Sequence, residues 1–203
     1  MKVVIVGKTH MYGDRWCVGA LTMNVWASVR LVNRSQDNGW PNDTPFELGQ
    51  VWEVEGTRPG NLRHPHTENF LVNAKQQVGE YGPTLPRDIV SRVAIVRGGT
   101  DVLYGGCLRA IPSGSLRIIE GCVPSFSTQF WVPDRELRYS DPYFWIGNRK
   151  VKFVGAQAAQ NIAPGSLVRM SLSGWFTPQG HNQEGCYLQL SGWWNPPRGR
   201  DSW

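Results

Sequence analysis

Long hydrophobic runs are missing from this chain of 203 residues. No stretch approaches the roughly 18–20 consecutive apolar residues that a membrane-crossing helix needs, which excludes that class. The opening run Val3-Val4-Ile5-Val6 is too short for the apolar region of a secretory leader, and no cleavage motif follows it. Cysteine is sparse: Cys17, Cys107, Cys122 and Cys186 are widely scattered, with no C-x-x-C pair. An even count permits two disulfides, but without a leader the expectation is reduced thiols and a cytoplasmic protein. Charged residues make up only 18% against 40% hydrophobic, a balance that supports a packed core and argues against disorder and coiled coil. Nucleophile signatures are absent too: there is no G-x-S-x-G elbow and no H-E-x-x-H, and no cysteine stands in a familiar catalytic setting. The expectation is therefore a protein that is not an enzyme, although a pairing of carboxylates such as Glu53 with Glu68 stays open at this level.

What the chain does hold is 10 Trp, 23 Gly and 14 Pro, a composition suited to short strands with frequent reversals. In the first half, Val3–Val6, Trp16–Met23 and Ala27–Val32 read as strands, followed by a polar loop over Asn33–Pro45 with an Asn38-Gly39 turn signal. Val51–Glu55 alternates Trp52 and Val54 with Glu53 and Glu55, the period of a half-buried strand. His66–Val72 looks extended. Ala74–Gln77 and Pro86–Val90 suit two short helices separated by a Gly79–Pro83 break, and this region reads as a connector between halves.

The second half is more regular. Tyr143–Ile146, Gly147-Asn148 and Arg149–Val154 form a two-residue hairpin with a Gly-first turn. In that register Ile146 faces Arg149, Trp145 faces Lys150, Phe144 faces Val151 and Tyr143 faces Lys152. Phe144, Ile146, Val151 and Phe153 then form a core stripe, and Tyr143, Trp145, Lys150 and Lys152 the opposite face. Leu167–Leu172 points Val168, Met170 and Leu172 inward and Arg169 and Ser171 outward. Cys186–Trp194 points Cys186, Leu188 and Leu190 one way and Tyr187, Gln189, Ser191 and Trp193 the other. A short echo links 45–52 with 161–168: an apolar lead, a Gly turn, then an alternating strand.

Two apparent sites weaken on inspection. Gly7-Lys8-Thr9 mimics the end of a phosphate-binding loop, but the Gly required five residues earlier is replaced by Lys2 inside the strand, so no loop fits. His64, His66 and Glu68 share a face if the chain is extended, as metal ligands do, yet no second ligand pair completes a site. No metal or cofactor is expected, and His66 or Glu68 is read as a binding residue without metal. The net charge of +5 and pI near 9.2 favour anionic partners without proving one. The aromatic and basic hairpin face, extended by Arg169, Tyr187, Gln189 and Trp193, offers stacking planes beside cations, the combination that single-stranded nucleic acid uses. The same residues also describe a plain sheet surface whose Lys stems lie on rings.

The chain resembles the dual OB-containing domain proteins of prokaryotes. The carrying segments are Lys8-Thr9-His10-Met11, Cys17–Leu21, Val29-Arg30-Leu31, Asp43–Val54 and His66-Thr67-Glu68 in the first half. In the second half they are Ser127–Trp131, Leu167–Leu172 and Cys186–Trp193. His10 stands where the resemblance leads one to expect a basic residue. The resemblance implies a mainly β chain of two OB-like β-barrels with a short, partly helical connector, laid out as 1–75, 76–97 and 98–203 with a basic C-terminal tail. It also implies an association with anti-phage systems. Carried over by motif, the candidate contacts are Lys8, Arg30, His66 and Glu68 in the first half, and Arg169, Ser171, Gln189, Ser191 and Trp193 in the second. The expected partner is single-stranded DNA or RNA, with no membrane involved. The alternatives are a scaffold subunit that regulates a partner effector protein, and a sensor of a nucleotide ligand.

Overall fold

A computed structural model describes residues 1–33, 39–180 and 182–197. Asn38 of the expected turn and the end of the basic tail lie outside the described residues. Two compact units emerge. The first comprises Met1–Leu62, Glu68–Val93 and Val154–Ala156; the second comprises Arg63–Thr67, Ala94–Phe153 and Gln157–Trp203.

The first unit is a closed barrel. Its strands are β1 (Lys2–Met11), β2 (Arg15–Thr22), β3 (Ser28–Asn33), β4 (Gln50–Thr57) and β5 (Asn69–Glu80), ordered β1-β2-β3-β5-β4. Closure needs one strand to serve two neighbours. A bulge between Ile5 and Gly7 bends β1, whose first residues pair with β4 while its whole length pairs with β2. Val3, Ile5, Val18, Ala20, Val29, Leu31, Phe46, Trp52 and Val54 fill the interior. Glu53 and Glu55 are exposed beside buried Trp52 and Val54, as the alternation required. The segment 154–156 completes the unit: His10 N–H donates to Val154 O at 2.7 Å and Ala156 N–H to Lys8 O at 2.9 Å.

The expected connector is not one. Ala74–Gln77 is strand, because β5 runs unbroken to Glu80 and ladders against β4. Its residues from Asn73 onward are all exposed, so no apolar period marked it as β. The second expected helix is real: α1 (Leu85–Arg92) has Pro in its first turn and buries Leu85 and Ile89. Both elements belong to the first unit, so the chain does not divide as 1–75, 76–97 and 98–203.

The second unit has nine described strands: β6 (Ile95–Gly98), β7 (Arg109–Ala110), β8 (Leu116–Ile118), β9 (Thr128–Pro133), β10 (Arg138–Ser140), β11 (Tyr143–Ile146), β12 (Arg149–Phe153), β13 (Leu167–Leu172) and β14 (Cys186–Trp194), with a 3-10 segment at Thr100–Gly106. The main path runs β10-β11-β12-β14-β13-β9-β6, and β8 attaches the β7–β8 hairpin to β14. β9 and β10 are consecutive pieces of chain at the two ends of one stretch of this path. Taken as a single interrupted strand, they give the same circuit as the first unit, with β11, β12, β13 and β14 in the places of β2, β3, β4 and β5. Every pairing sense agrees, including the parallel contacts β3–β5 and β12–β14. The break over 134–137 does for the second circuit what the bulge does for the first.

The echo between 45–52 and 161–168 has a structural meaning in this frame. Both segments lead into the fourth strand of their circuit. Gly49 and Gly165 sit just before it at φ of 84° and 79°, a conformation that favours glycine. Phe46 and Ile162, at matching places ahead of them, are both fully buried.

Cys107 and Cys122, expected as thiols, are joined in a disulfide across a sequence separation of 15, enclosing the β7–β8 hairpin. A loop of this size is stabilised by about 3 kcal/mol through lost unfolded-state entropy. Cys17 is half-buried and Cys186 buried, and both are free. Burial pushes the Cys186 thiol up to about 12, keeping it protonated and unreactive. Alkylation of the native protein is therefore expected to modify Cys17 alone. Unfolding without reductant should add Cys186, and reduction should add Cys107 and Cys122, as read by intact mass.

Candidate functional site

The hairpin register is the expected one, pairing Tyr143 with Lys152, Phe144 with Val151, Trp145 with Lys150 and Ile146 with Arg149. Gly147 takes φ 61° at the first turn position. Phe144 and Val151 are completely buried, and the opposite face is left with half-buried Tyr143 and Lys150 and exposed Trp145 and Lys152. Lys150 Nζ lies 4.7 Å from the Tyr143 ring centroid and 5.9 Å from that of Trp145. Such contacts hold cations against π faces while leaving them wet.

The face extends across the sheet by register. Arg138 lies opposite Trp145 on β10, giving a row of Arg138, Trp145 and Lys150. In a second row Tyr143 opposes Lys152, Lys152 opposes Gln189, and Gln189 opposes Ser171. Beside Gln189, Tyr187 packs against Phe176 with ring centroids 5.0 Å apart. Arg117 on β8 donates to Tyr187 Oη at 3.4 Å. Together Ile111, Ser115, Tyr143, Lys152, Phe176 and Gln189 are among the residues that line a cavity of about 340 Å³.

Two loops that sequence reasoning passed over complete this cavity. The turn of the β7–β8 hairpin supplies Ile111, Ser113 and Ser115, fastened where Lys150 N–H donates to Gly114 O at 2.9 Å. The loop between β13 and β14 supplies Phe176 and Pro178. It is held by Arg63, which pairs with Glu184 at 2.7 Å and stacks 4.2 Å over Trp175, and by Trp175 Nε1, which donates to His64 O at 2.6 Å. Neither loop carries a periodic pattern, and Arg63 is distant in sequence from what it holds, so no local signal announced them.

The other expected contacts are dispersed. Arg169 and Ser191 are buried, and Arg169 Nη1 donates to Ser191 Oγ at 2.9 Å, so they are not outward contacts. Trp193 is in the core against Phe144 and Phe153, at centroid distances of 5.8 and 5.6 Å. The cause is a register shift between Arg169 and Met170, where β14 gains one residue and its alternation reverses. His66 Nε2 lies 3.0 Å from Ser173 O and 3.8 Å from Cys186 Sγ in the second unit, whereas buried Glu68 belongs to the first. The segment turns at this point, with His66 N–H bonded to Arg63 O and Thr67 N–H to Pro65 O, so the shared face of His64, His66 and Glu68 is lost. Among the described residues no group of three or more His, Cys, Asp or Glu is placed to hold a metal.

In the first unit, the strand face corresponding to β11–β12 is occupied differently. Leu21 and Val32 point away from the barrel core yet are buried. Arg30 directs Nε to Cys17 Sγ at 3.1 Å. Lys8 is 7% exposed and pairs with Glu47 at 2.6 Å, at the end of the barrel and 5.0 Å from the Trp16 ring. A buried ammonium deprived of its partner is worse than no ammonium. Glu47→Ala is therefore expected to lower the denaturation midpoint more than Lys8→Met does.

Two five-strand circuits of one topology, each with a parallel contact between third and fifth strands, define a chain of two OB folds. The sequence profile of the family described as Dual OB-containing domain matches residues 1–193. The chain belongs to that family. No curated protein and no solved structure matches it.

Proposed function

We propose that the chain is a non-catalytic binder of single-stranded nucleic acid and that the second unit makes the contact. The observation that carries this reading is the outward-facing row Arg138, Trp145 and Lys150 beside Tyr143, Lys152 and Gln189. These residues stand on the first, second, third and fifth strands of the circuit, and the flanking β13–β14 loop adds Phe176. The second- and third-strand surface and the loop between fourth and fifth strands are where OB folds take oligonucleotides. Bases stack on Tyr143, Trp145, Phe176 or Tyr187 while Lys150, Lys152 and Arg138 neutralise phosphates. A non-catalytic role is supported by the chemistry of the contact between Cys186 and His66. Cys186 is a buried, protonated thiol whose neighbour His66 is engaged with a backbone carbonyl.

Fluorescence anisotropy of labelled single-stranded DNA and RNA, titrated with the full chain at rising salt, tests this. Binding that weakens steeply with salt is expected. Absent or salt-insensitive binding overturns the reading. A second reading, a scaffold subunit docking on a partner effector protein, is favoured by Trp145 and Phe176, which are 37% and 45% exposed. Aromatic residues of this kind anchor protein interfaces. Partner capture that survives nuclease treatment, and is lost in Trp145→Ala, would favour that alternative.

A further inference from the structure

We infer that the cavity of the second unit takes the phosphate-bearing end of a strand, one nucleotide deep, and does not pass a continuous strand through. This deepens the nucleic-acid reading and rests on it.

The inference comes from what bounds the cavity. Its floor is the outer face of β14, with Tyr187 and Gln189. One edge of β14 carries β8 and β12, paired at Cys186 and Tyr187 and at Gln189 and Leu190. On that side stand Lys150, Lys152 and the β7–β8 turn, tied to β12 by the bond from Lys150 N–H to Gly114 O. The other edge carries β13 and its continuation, where Phe176 and Gly185 exchange backbone bonds of 3.3 and 3.1 Å. On that side stand Phe176 and Pro178. The groove between these walls runs along β14, and it stops. Beyond Gln189 the strand reaches the bulge at Ser191, which is 1% exposed, and its hydrogen-bonded neighbour Arg169 is 4% exposed.

A channel for a running strand needs two open ends, and this one is walled on both edges and covered beyond Gln189. Its volume of about 340 Å³ is at the lower limit of small-ligand cavities, which begin at about 300 Å³. Its chemistry is divided as a nucleotide's is. Phe176 and Tyr187 form one apolar ring surface for a base, and the Gln189 amide can both donate and accept at the base edge. Lys150, Lys152 and the hydroxyls of Ser113 and Ser115 suit a terminal phosphate, which carries more charge and more free oxygens than an internal diester.

The test compares the full chain's affinity for a linear single-stranded DNA with a 5′-phosphate, the same sequence with a 5′-hydroxyl, and the same sequence closed into a single-stranded circle. The linear 5′-phosphate strand is expected to bind at least about tenfold more tightly than the circle, equivalent to about 1.4 kcal/mol, with the 5′-hydroxyl strand between them. Equal binding of all three overturns end capture and leaves the nucleic-acid reading standing. Failure of all three to bind removes both. Displacement of the linear strand by a nucleoside 5′-monophosphate at a similar concentration would identify a free nucleotide, in place of a strand end, as the source of the same chemistry. Phe176→Ala, at an exposed position, is expected to bring the linear strand's affinity toward that of the circle; an unchanged ratio counts against the cavity as the capture site.

Discussion

Replacing Lys150 and Lys152 together with alanine is expected to weaken binding of single-stranded oligonucleotides by roughly 25-fold at 0.1 M salt. The size follows from counterion release: each phosphate neutralised on a single strand adds about 0.7 to the slope of log affinity against log salt, so two contacts lower the slope by about 1.4. Extrapolated from 1 M, where the contacts lose their advantage, this is about 1.4 decades of affinity at 0.1 M. Both lysines stand on the outward face of β12, so the fold should persist, as circular dichroism can verify. Anisotropy titrations at several salt concentrations separate this mechanism from lost stacking. A variant that weakens binding with an unchanged slope would show that these lysines act through Tyr143 and Trp145 and not through phosphate. Trp145→Ala is the complementary case: it lowers affinity while the slope stays near that of the parent.

The largest loss of stability is expected from Gly56→Ala. Gly56 lies at the second register shift between β4 and β5, opposite Val72. A Cβ added there would sit 1.8 Å from Leu71 O and 2.8 Å from both Leu71 C and a Phe70 ring carbon. The first of these is backbone, so relief requires the strands to part rather than a side chain to swing. Overpacking in a well-packed setting costs about 1–3 kcal/mol, and the backbone clash places this variant at or above the upper end. The neighbouring Gly60→Ala is the control, because nothing lies within 4 Å of its added Cβ. Chemical denaturation of the two variants should show a lowered midpoint for the first and an unchanged one for the second. Similar midpoints would mean that the bulge yields easily.

What the sequence disclosed was local and alternating. The hairpin of β11 and β12 announced its register, its turn and both faces, because two-residue turns fix pairing and burial fixes parity. The strands at 167–172 and 186–194 were legible for the same reason. The parity of Trp193 was not, since a bulge leaves no mark on composition. Strand β5 lacked apolar period along its exposed half, so ladder hydrogen bonds with β4 decided its structure against local propensity. The short strands β6 to β10 hold between two and six residues, too few for a period to accumulate. Of the candidate site, the aromatic and basic face was visible from the hairpin alone. Its walls were not, because Phe176, Ser115 and Arg117 reach it from loops and a short hairpin distant in sequence.

The return of residues 154–156 to the first unit has a consequence for how such a chain can be made and altered. During synthesis the first barrel lacks its last piece until most of the second circuit's hairpin strands have already emerged. A fragment ending after α1 would leave the Lys8 carbonyl and the His10 N–H without the partners that residues 154–156 supply. Neither unit is a contiguous cassette. A genetic exchange that swapped one OB fold for another at a single junction would cut through both.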